Sequence, residues 1–217
     1  SGGKMKEYCE TNKIEYRFVL DYHSPRASFT SYLYTILKVL HTTFEIKQDD
    51  ITESIVEMEK TRNKINSSNL SKENPALQLA EGITNIPVIY YPFGLQSAAI
   101  RFKNSLQENT KIHAMVENIV ETCHNGIVSW ERASNVQPIL IQGADDFIKT
   151  KERWKIVKEY FKNNEINYLE ITSVTGSILS KIINLIYILD YSSIYCAVIT
   201  KTDPTPVKSI KFIKSKL

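Results

Sequence analysis

Glu108 and His124 stand sixteen positions apart in the stretch LQENTKIHAMVENIVETCHNGIVSW, residues 106–130, between apolar runs. A carboxylate whose pKa is raised by burial and an imidazole that titrates near neutrality are suited to moving protons on a small molecule, so the pair suggests general acid–base chemistry. Two cations stand in unusual places. Arg26 follows Ser24-Pro25 at an expected helix start, where a positive charge opposes the macrodipole; it is either a surface residue or a device for holding an anion. Lys214 lies on the edge of an apolar stripe formed by Val207, Ile210, Ile213 and Leu217, where a packed stem with its ammonium in water is the plain alternative to a role in a site.

These residues need elements to hold them. Residues 3–12 read as a helix and EYRFVL, residues 15–20, as a short strand. Ser24 as cap and Pro25 at the first helical position open an amphipathic helix to about His41, and Asp49 or Asp50 caps another to about Lys64. NSSNLSKEN is polar and aperiodic and reads as a linker, with a domain boundary near residue 72. Asn74-Pro75 starts a helix ending at Gly82, followed by the continuous apolar strand IPVIYY. Strands at 138–142 and 168–172 alternate with helices at 95–111, 147–163 and 178–199. That alternation predicts a three-layer α/β domain with mostly parallel strands. Asp203-Pro204 opens the last helix. On a helical wheel Glu108 lies on the flank of the Leu95, Ala98, Phe102, Asn109 stripe, near Arg101 and Asn104; an exposed Glu108–Lys111 pair, worth a few tenths of a kcal/mol, is the simpler reading.

Composition narrows the classes. The 217 residues are 42% hydrophobic and 24% charged, enough for one large or two small domains with a core. With 27 basic and 24 acidic residues interspersed, the net charge of +3 gives no footprint for nucleic acid, while small anionic ligands stay open. Cys9, Cys123 and Cys196 lack CxxC spacing and are expected to be apolar fillers in a reducing cytoplasm. The apolar segment 178–199 carries Lys181, Asn184 and Asp190, so a buried helix is expected rather than a membrane span. No His or carboxylate trio has metal-ligand spacing, and no glycine-rich loop follows a strand, so neither a metal nor a nucleotide cofactor is expected.

The runs NPALQLAEGITNIPVIYY, RFKNSLQENTK, HNGIVSWE, LDYSSIYCAVIT and DPTPVKSIKFIK, with SPRASF at 24–29, resemble in order the archaeal and bacterial bifunctional phosphoglucose/phosphomannose isomerases, which are sugar isomerase (SIS) proteins. The resemblance implies an SIS-type α/β/α domain at 73–203, a C-terminal helix at 204–217, and in residues 1–72 the last part of a preceding SIS domain. It implies isomerisation of glucose 6-phosphate and mannose 6-phosphate to fructose 6-phosphate without a cofactor. Glu108 in ENTK matches the family's ENxK base. His124 matches the ring-opening histidine, although the family has HNE where this chain has Gly126. Arg26 matches the Pro-Arg arginine lining the sugar-phosphate site, Lys214 the C-terminal lysine near the ring oxygen or O1, and Thr205 a threonine that helps admit mannose epimers.

The family's GGS-type and SYSGNTEET-type phosphate loops do not occur in this chain, and SGGKM at 1–5 resembles a point well inside the first SIS domain. An upstream segment of roughly ninety residues is therefore expected to supply them and to complete the sheet around EYRFVL. A homodimer is also expected, since the family places the histidine in the partner's site. The competing class is a non-catalytic SIS module that binds sugar phosphates or regulates; a third is a structural subunit that only dimerises.

Overall fold

The computed structural model describes residues 4–20, 22, 24–41 and 43–217, which form two compact units, 1–48 and 49–217. Gly3, the expected start of the first helix, and His23 lie outside the described residues. In the first unit, α1 (Lys4–Thr11) is followed by an extended segment and α2 (Phe29–Leu40). Residues 15–20 were expected to be a strand, and they form no ladder with any described residue. β-forming side chains make a strand only when another strand accepts their backbone groups. Here Tyr16 instead donates its hydroxyl to Glu10 Oε1 at 2.7 Å and stacks edge-on against Phe18 at 5.4 Å. Helix α2 starts later than expected. Residues 24–28 form turns, with the Ala27 N–H donating to the Ser24 carbonyl at 3.0 Å, so Pro25 and Arg26 precede the helix and Arg26 does not oppose its dipole.

The second unit starts with α3 (Gln48–Ile65) and α4 (Pro75–Gly82). Asn74 caps α4, its side-chain oxygen accepting from the N–H groups of Ala76 and Leu77 at 3.0 and 3.1 Å, with Pro75 in the first turn as read from the sequence. Then come β1 (Ile86–Tyr91), α5 (Gln96–Asn109), β2 (Met115–Asn118), the short α6 (Ile119–Thr122), a 3-10 turn (Gly126–Glu131), β3 (Val136–Gln142), α7 (Ile148–Asn163), β4 (Leu169–Thr172), α8 (Ile178–Ile199) and α9 (Lys208–Lys214). The strands are parallel in the order β2-β1-β3-β4.

Strand alternation assigns the layers. Val88, Tyr90 and Leu140 pack with Ile119, Trp154, Val157 and Phe161 on the side of α6 and α7. Their neighbours Ile89, Ile139 and Ile141, fully buried, point to the opposite face, where α4 and α5 meet the sheet and α8 covers both. The result is the expected three-layer arrangement with a wholly parallel sheet. The edge strand β2 was not anticipated: MVEN owes its conformation to the register of Met115 to Asn118 against Val88 to Tyr91. Helix α8 is long and apolar enough to cross a membrane by length and composition, yet 56% of that window is buried inside the fold.

The start of α8 is tied down by charge. Ser177 caps it by accepting from the Ser180 N–H at 3.2 Å, while Glu53 of α3 accepts from the Ser177 N–H at 3.1 Å. Asp145 pairs with Lys181 at 3.1 Å. Gly176, at φ +111°, allows the turn, and a Cβ there would run into the Glu53 carboxylate. Hydrogen bonds from Ser177 hold the Glu53 carboxyl below its ordinary range, and the hydrogen bond from Lys181 does the same for Asp145. Both groups therefore bind protons less readily folded than unfolded. The stability they contribute is present above the unfolded carboxylate pKa of about 4 and is lost as pH falls through their lower folded values. A Glu53→Gln, Asp145→Asn variant is expected to show a shallower loss of unfolding free energy than the parent on acidification below about pH 4, followed by urea denaturation; parallel acid profiles would refute this account.

Candidate functional site

The site starts from the last turns of α5. Arg101, Ser105 and Asn109, at i, i+4 and i+8, lie along one side of that helix and bond to α8: Arg101 to Asp190 at 2.6 Å, Ser105 to Asp190 at 2.9 Å, Asn109 to Ser193 at 2.8 Å. Leu95, Ala98, Phe102 and Asn109 are buried as the wheel predicted. Glu108 borders that stripe and is half-buried. Arg101, seven residues before it on the same helix, pairs with Asp190.

Glu108 lines an open cleft of about 740 Å³ between the end of α5 and the segment entering α9, together with Asn104, Gln107, Lys111, Lys208 and Ser209. Lys111 fastens the two walls. It adopts φ +62°, a left-handed conformation usually left to glycine or asparagine and costing a lysine on the order of 1 kcal/mol. From there its ammonium donates to the Glu108 carbonyl and, at 3.4 Å, to the Pro204 carbonyl. Asp203 accepts from the Thr205 N–H at 2.9 Å; that bond first, and the nearby charge of Lys111 after it, hold its carboxyl below the ordinary range. A half-buried carboxylate beside ammonium and amide groups can hold a polyhydroxylated anion and exchange a proton with it. The sequence reading had given Lys111 only a surface pair with Glu108.

The other candidates lie elsewhere. His124 is exposed in the turn after α6. In a parallel sheet α5 runs back to the amino ends of the strands, whereas α6 follows β2 at its carboxyl end, so Glu108 and His124 of one chain belong to opposite ends of the sheet. A Cβ at Gly126 would meet the end of the Glu117 side chain, which accepts from Thr122 at 3.1 Å and would have to shift for a larger residue. Cys123 is exposed rather than a filler, unlike buried Cys9 and Cys196. Residues 203–207 form a turn rather than the expected helix start, and Thr205 is exposed within it. The stripe expected to dock α9 is uncovered: Ile210, Ile213 and Leu217 are 39, 57 and 101% exposed. Lys214 is exposed with them, and Lys208, not Lys214, is the α9 lysine lining the Glu108 cleft. Arg26 belongs to the first unit and is half-buried.

A family model described as "Bacterial phospho-glucose isomerase C-terminal SIS domain" matches residues 72–217. The chain belongs to this family. The bifunctional phosphoglucose/phosphomannose isomerase of Caldicellulosiruptor bescii is 29% identical over 227 residues, and its namesake from Aquifex aeolicus 25% identical over 221 residues. Each alignment covers 100% of this chain and 66% of the relative, so the chain spans just under two thirds of their length. Among solved structures, a glucose-6-phosphate isomerase like protein from Thermus thermophilus superposes with a TM-score of 0.67 at 15% identity, covering 83% of this chain and 61% of that one. The C-terminal domain of glucosamine-fructose-6-phosphate aminotransferase from Francisella tularensis gives 0.52 at 16% identity, covering 81% and 52%. At these identities the likeness is one of fold; the family model is what makes residues 72–217 an SIS domain.

Within the SIS domain, the Lys111 clasp should hold the α9 segment over Glu108. Lys111→Met is expected to raise amide hydrogen exchange across residues 203–214 while changing global unfolding free energy by no more than about 1 kcal/mol, because an exposed side chain is lost. Unchanged exchange in that segment would show that the clasp does not order it.

Proposed function

We propose that this chain forms the greater part of an aldose–ketose isomerase that interconverts glucose 6-phosphate and mannose 6-phosphate with fructose 6-phosphate through a cis-enediol. The observation that carries the proposal is the half-buried Glu108 in a polar cleft, in a chain whose relatives bear the names of such isomerases. In this reading His124 moves the proton that opens the sugar ring. Glu108 takes the proton from C2 of the aldose, leaving an enediolate that is protonated on O1 to the enediol; as the C2 hydroxyl gives up its proton, Glu108 returns its own to C1, so that no electron leaves the substrate and no cofactor is needed. Lys214 and Arg26 stabilise negative charge developing on the enediolate oxygens, and Thr205 accommodates the mannose epimer. Because Glu108 and His124 lie at opposite ends of one sheet, the proposal calls for a homodimer that brings His124 of a second copy to the cleft. It also calls for phosphate-binding loops from a segment outside residues 1–217, and for a cytoplasmic setting.

Glu108→Gln in the full-length enzyme is expected to lower kcat by at least about 100-fold while sugar-phosphate affinity changes by less than about threefold, since a proton acceptor is lost and ground-state contacts are kept. Turnover within about tenfold of the parent would assign the base to another group. A parent protein that binds the sugar phosphate without turning it over would return the chain to the class of binding modules.

A further inference from the structure

A second crevice lies at the carboxyl ends of β3 and β4, away from the Glu108 cleft. Gln142 and Thr172 end those two strands and are paired in register. They form one wall of a crevice of about 400 Å³ whose other wall is α7, with Lys151, Lys155 and Lys158 at i, i+4 and i+7 and Trp154 at its base. Ligands of parallel α/β sheets settle outside the carboxyl ends of the strands, and the volume lies in the range of small-molecule sites.

The charges do not cancel. Asp146 brings one negative charge to the crevice, its Oδ2 accepting from the Gly143 N–H at 3.0 Å and the Trp154 indole at 3.1 Å, and Lys151 and Lys155 together outweigh it. Lys158 is committed to Glu170 at 2.8 Å and Gln142 at 3.3 Å. Lys151 and Lys155 are both exposed; the charge of Lys151 also acts on the Asp145 carboxylate, which is itself paired with Lys181 at 3.1 Å. The crevice therefore offers two exposed cations, a third held by Glu170, and the hydroxyl of Thr172 in its lining. A Cβ at Gly143 would meet the Asp146 carboxylate, so a larger residue there would displace the side chain that holds the loop.

We propose that this crevice binds the phosphate group of a small phosphorylated metabolite between Lys151 and Lys155, with Thr172 and Gln142 meeting its hydroxyl groups. The site rests on residues that the isomerisation does not use, and it stands or falls independently of that reading. Glycerol 3-phosphate, inorganic phosphate and chloride are to be titrated into the full chain at matched ionic strength, following the Trp154 indole N–H and the Gly143 and Lys151 amides by heteronuclear NMR. Saturable shifts of these signals with glycerol 3-phosphate are expected, with weaker ones from inorganic phosphate. Lys151→Ala with Lys155→Ala should weaken binding at least about tenfold, and the Arg pair should retain it, since each charge-assisted contact is worth about a factor of ten. Inorganic phosphate binding as tightly as the ester would keep the phosphate site and discard the role of Thr172 and Gln142. Equal shifts from chloride, no saturation below about 10 mM ester, or unchanged affinity in the Ala pair would overturn the proposal.

Discussion

The ion pair between Arg101 and Asp190 fixes the geometry on which the Glu108 cleft depends. Two guanidinium nitrogens reach one carboxylate oxygen, at 2.9 and 2.6 Å, and Ser105 donates to the other at 2.9 Å. Burial holds the Asp190 carboxyl above its ordinary range, and Arg101 and Ser105 oppose that rise. Such a pair adds little net stability over an apolar contact, but losing one member leaves a poorly solvated charge. Its main product is orientation. With Arg101, Ser105 and Asn109 bound to α8, the azimuth of α5 is set, and Glu108, seven residues after Arg101, is held at the border between core and cleft.

Helix α8 can accept this role because it is itself held on several sides. Its Asn184 donates to Thr61 at 2.9 Å, Tyr195 donates to the Ile65 carbonyl at 2.7 Å, and the α4 cap residue Asn74 donates to that same carbonyl at 3.3 Å. These bonds link α3, α4 and α8 around the cluster of Ile65, Ala76 and Ile188. A helix that is apolar on nearly all sides would slide or rotate at small cost if only dispersion held it; buried polar groups, each requiring a partner, permit fewer arrangements. Among the described residues no buried side-chain nitrogen or oxygen lacks a hydrogen bond. The polar residues that marked 178–199 as something other than a membrane span in the sequence are those that carry the packing: Asp190 and Asn184 on its partners, and Lys181 on Asp145.

Sequence pattern revealed the parts of the fold that burial dictates. IPVIYY, the strand before Gly143 and the long helix at 178–199 could be read because a continuous apolar run has few other places to go. β2 could not, because four residues with two apolar members become a strand only through β1. The reverse error occurred at EYRFVL, where the side chains favour a strand and no described residue pairs with it. The starts of α2 and α9 were misplaced for one shared reason: Ser-Pro and Asp-Pro open turns as readily as helices, and here both form turns first. That Glu108 borders a buried stripe of α5 was legible from the helical wheel. The commitment of Arg101 was not, since its partner lies 89 residues away. Nor could a helical wheel say that the apolar face of α9, with Lys214 at its edge, is left uncovered.

The division of polar chemistry between the two ends of the sheet follows from topology. Every strand is parallel, so each helix after a strand returns to the amino ends before the next strand begins. α5 and α8 both return there, which is why the end of one and the segment after the other share the cleft containing Glu108, Lys111 and Lys208. The carboxyl ends receive the turn after α6 with His124 and the crevice walled by the lysines of α7. The four residues of β2 alone span about 13 Å at the rise of an extended strand. An acid and a base that serve one small molecule must each come within about 3 Å of the atom they act on, so a substrate shared by both groups would have to bridge that span. Closing the distance inside one chain would mean unzipping β2 from β1, against the ladder and the core beneath it. Glu108 and the lysines beside it belong to one copy, whereas the proposed use of His124 draws that group from a second.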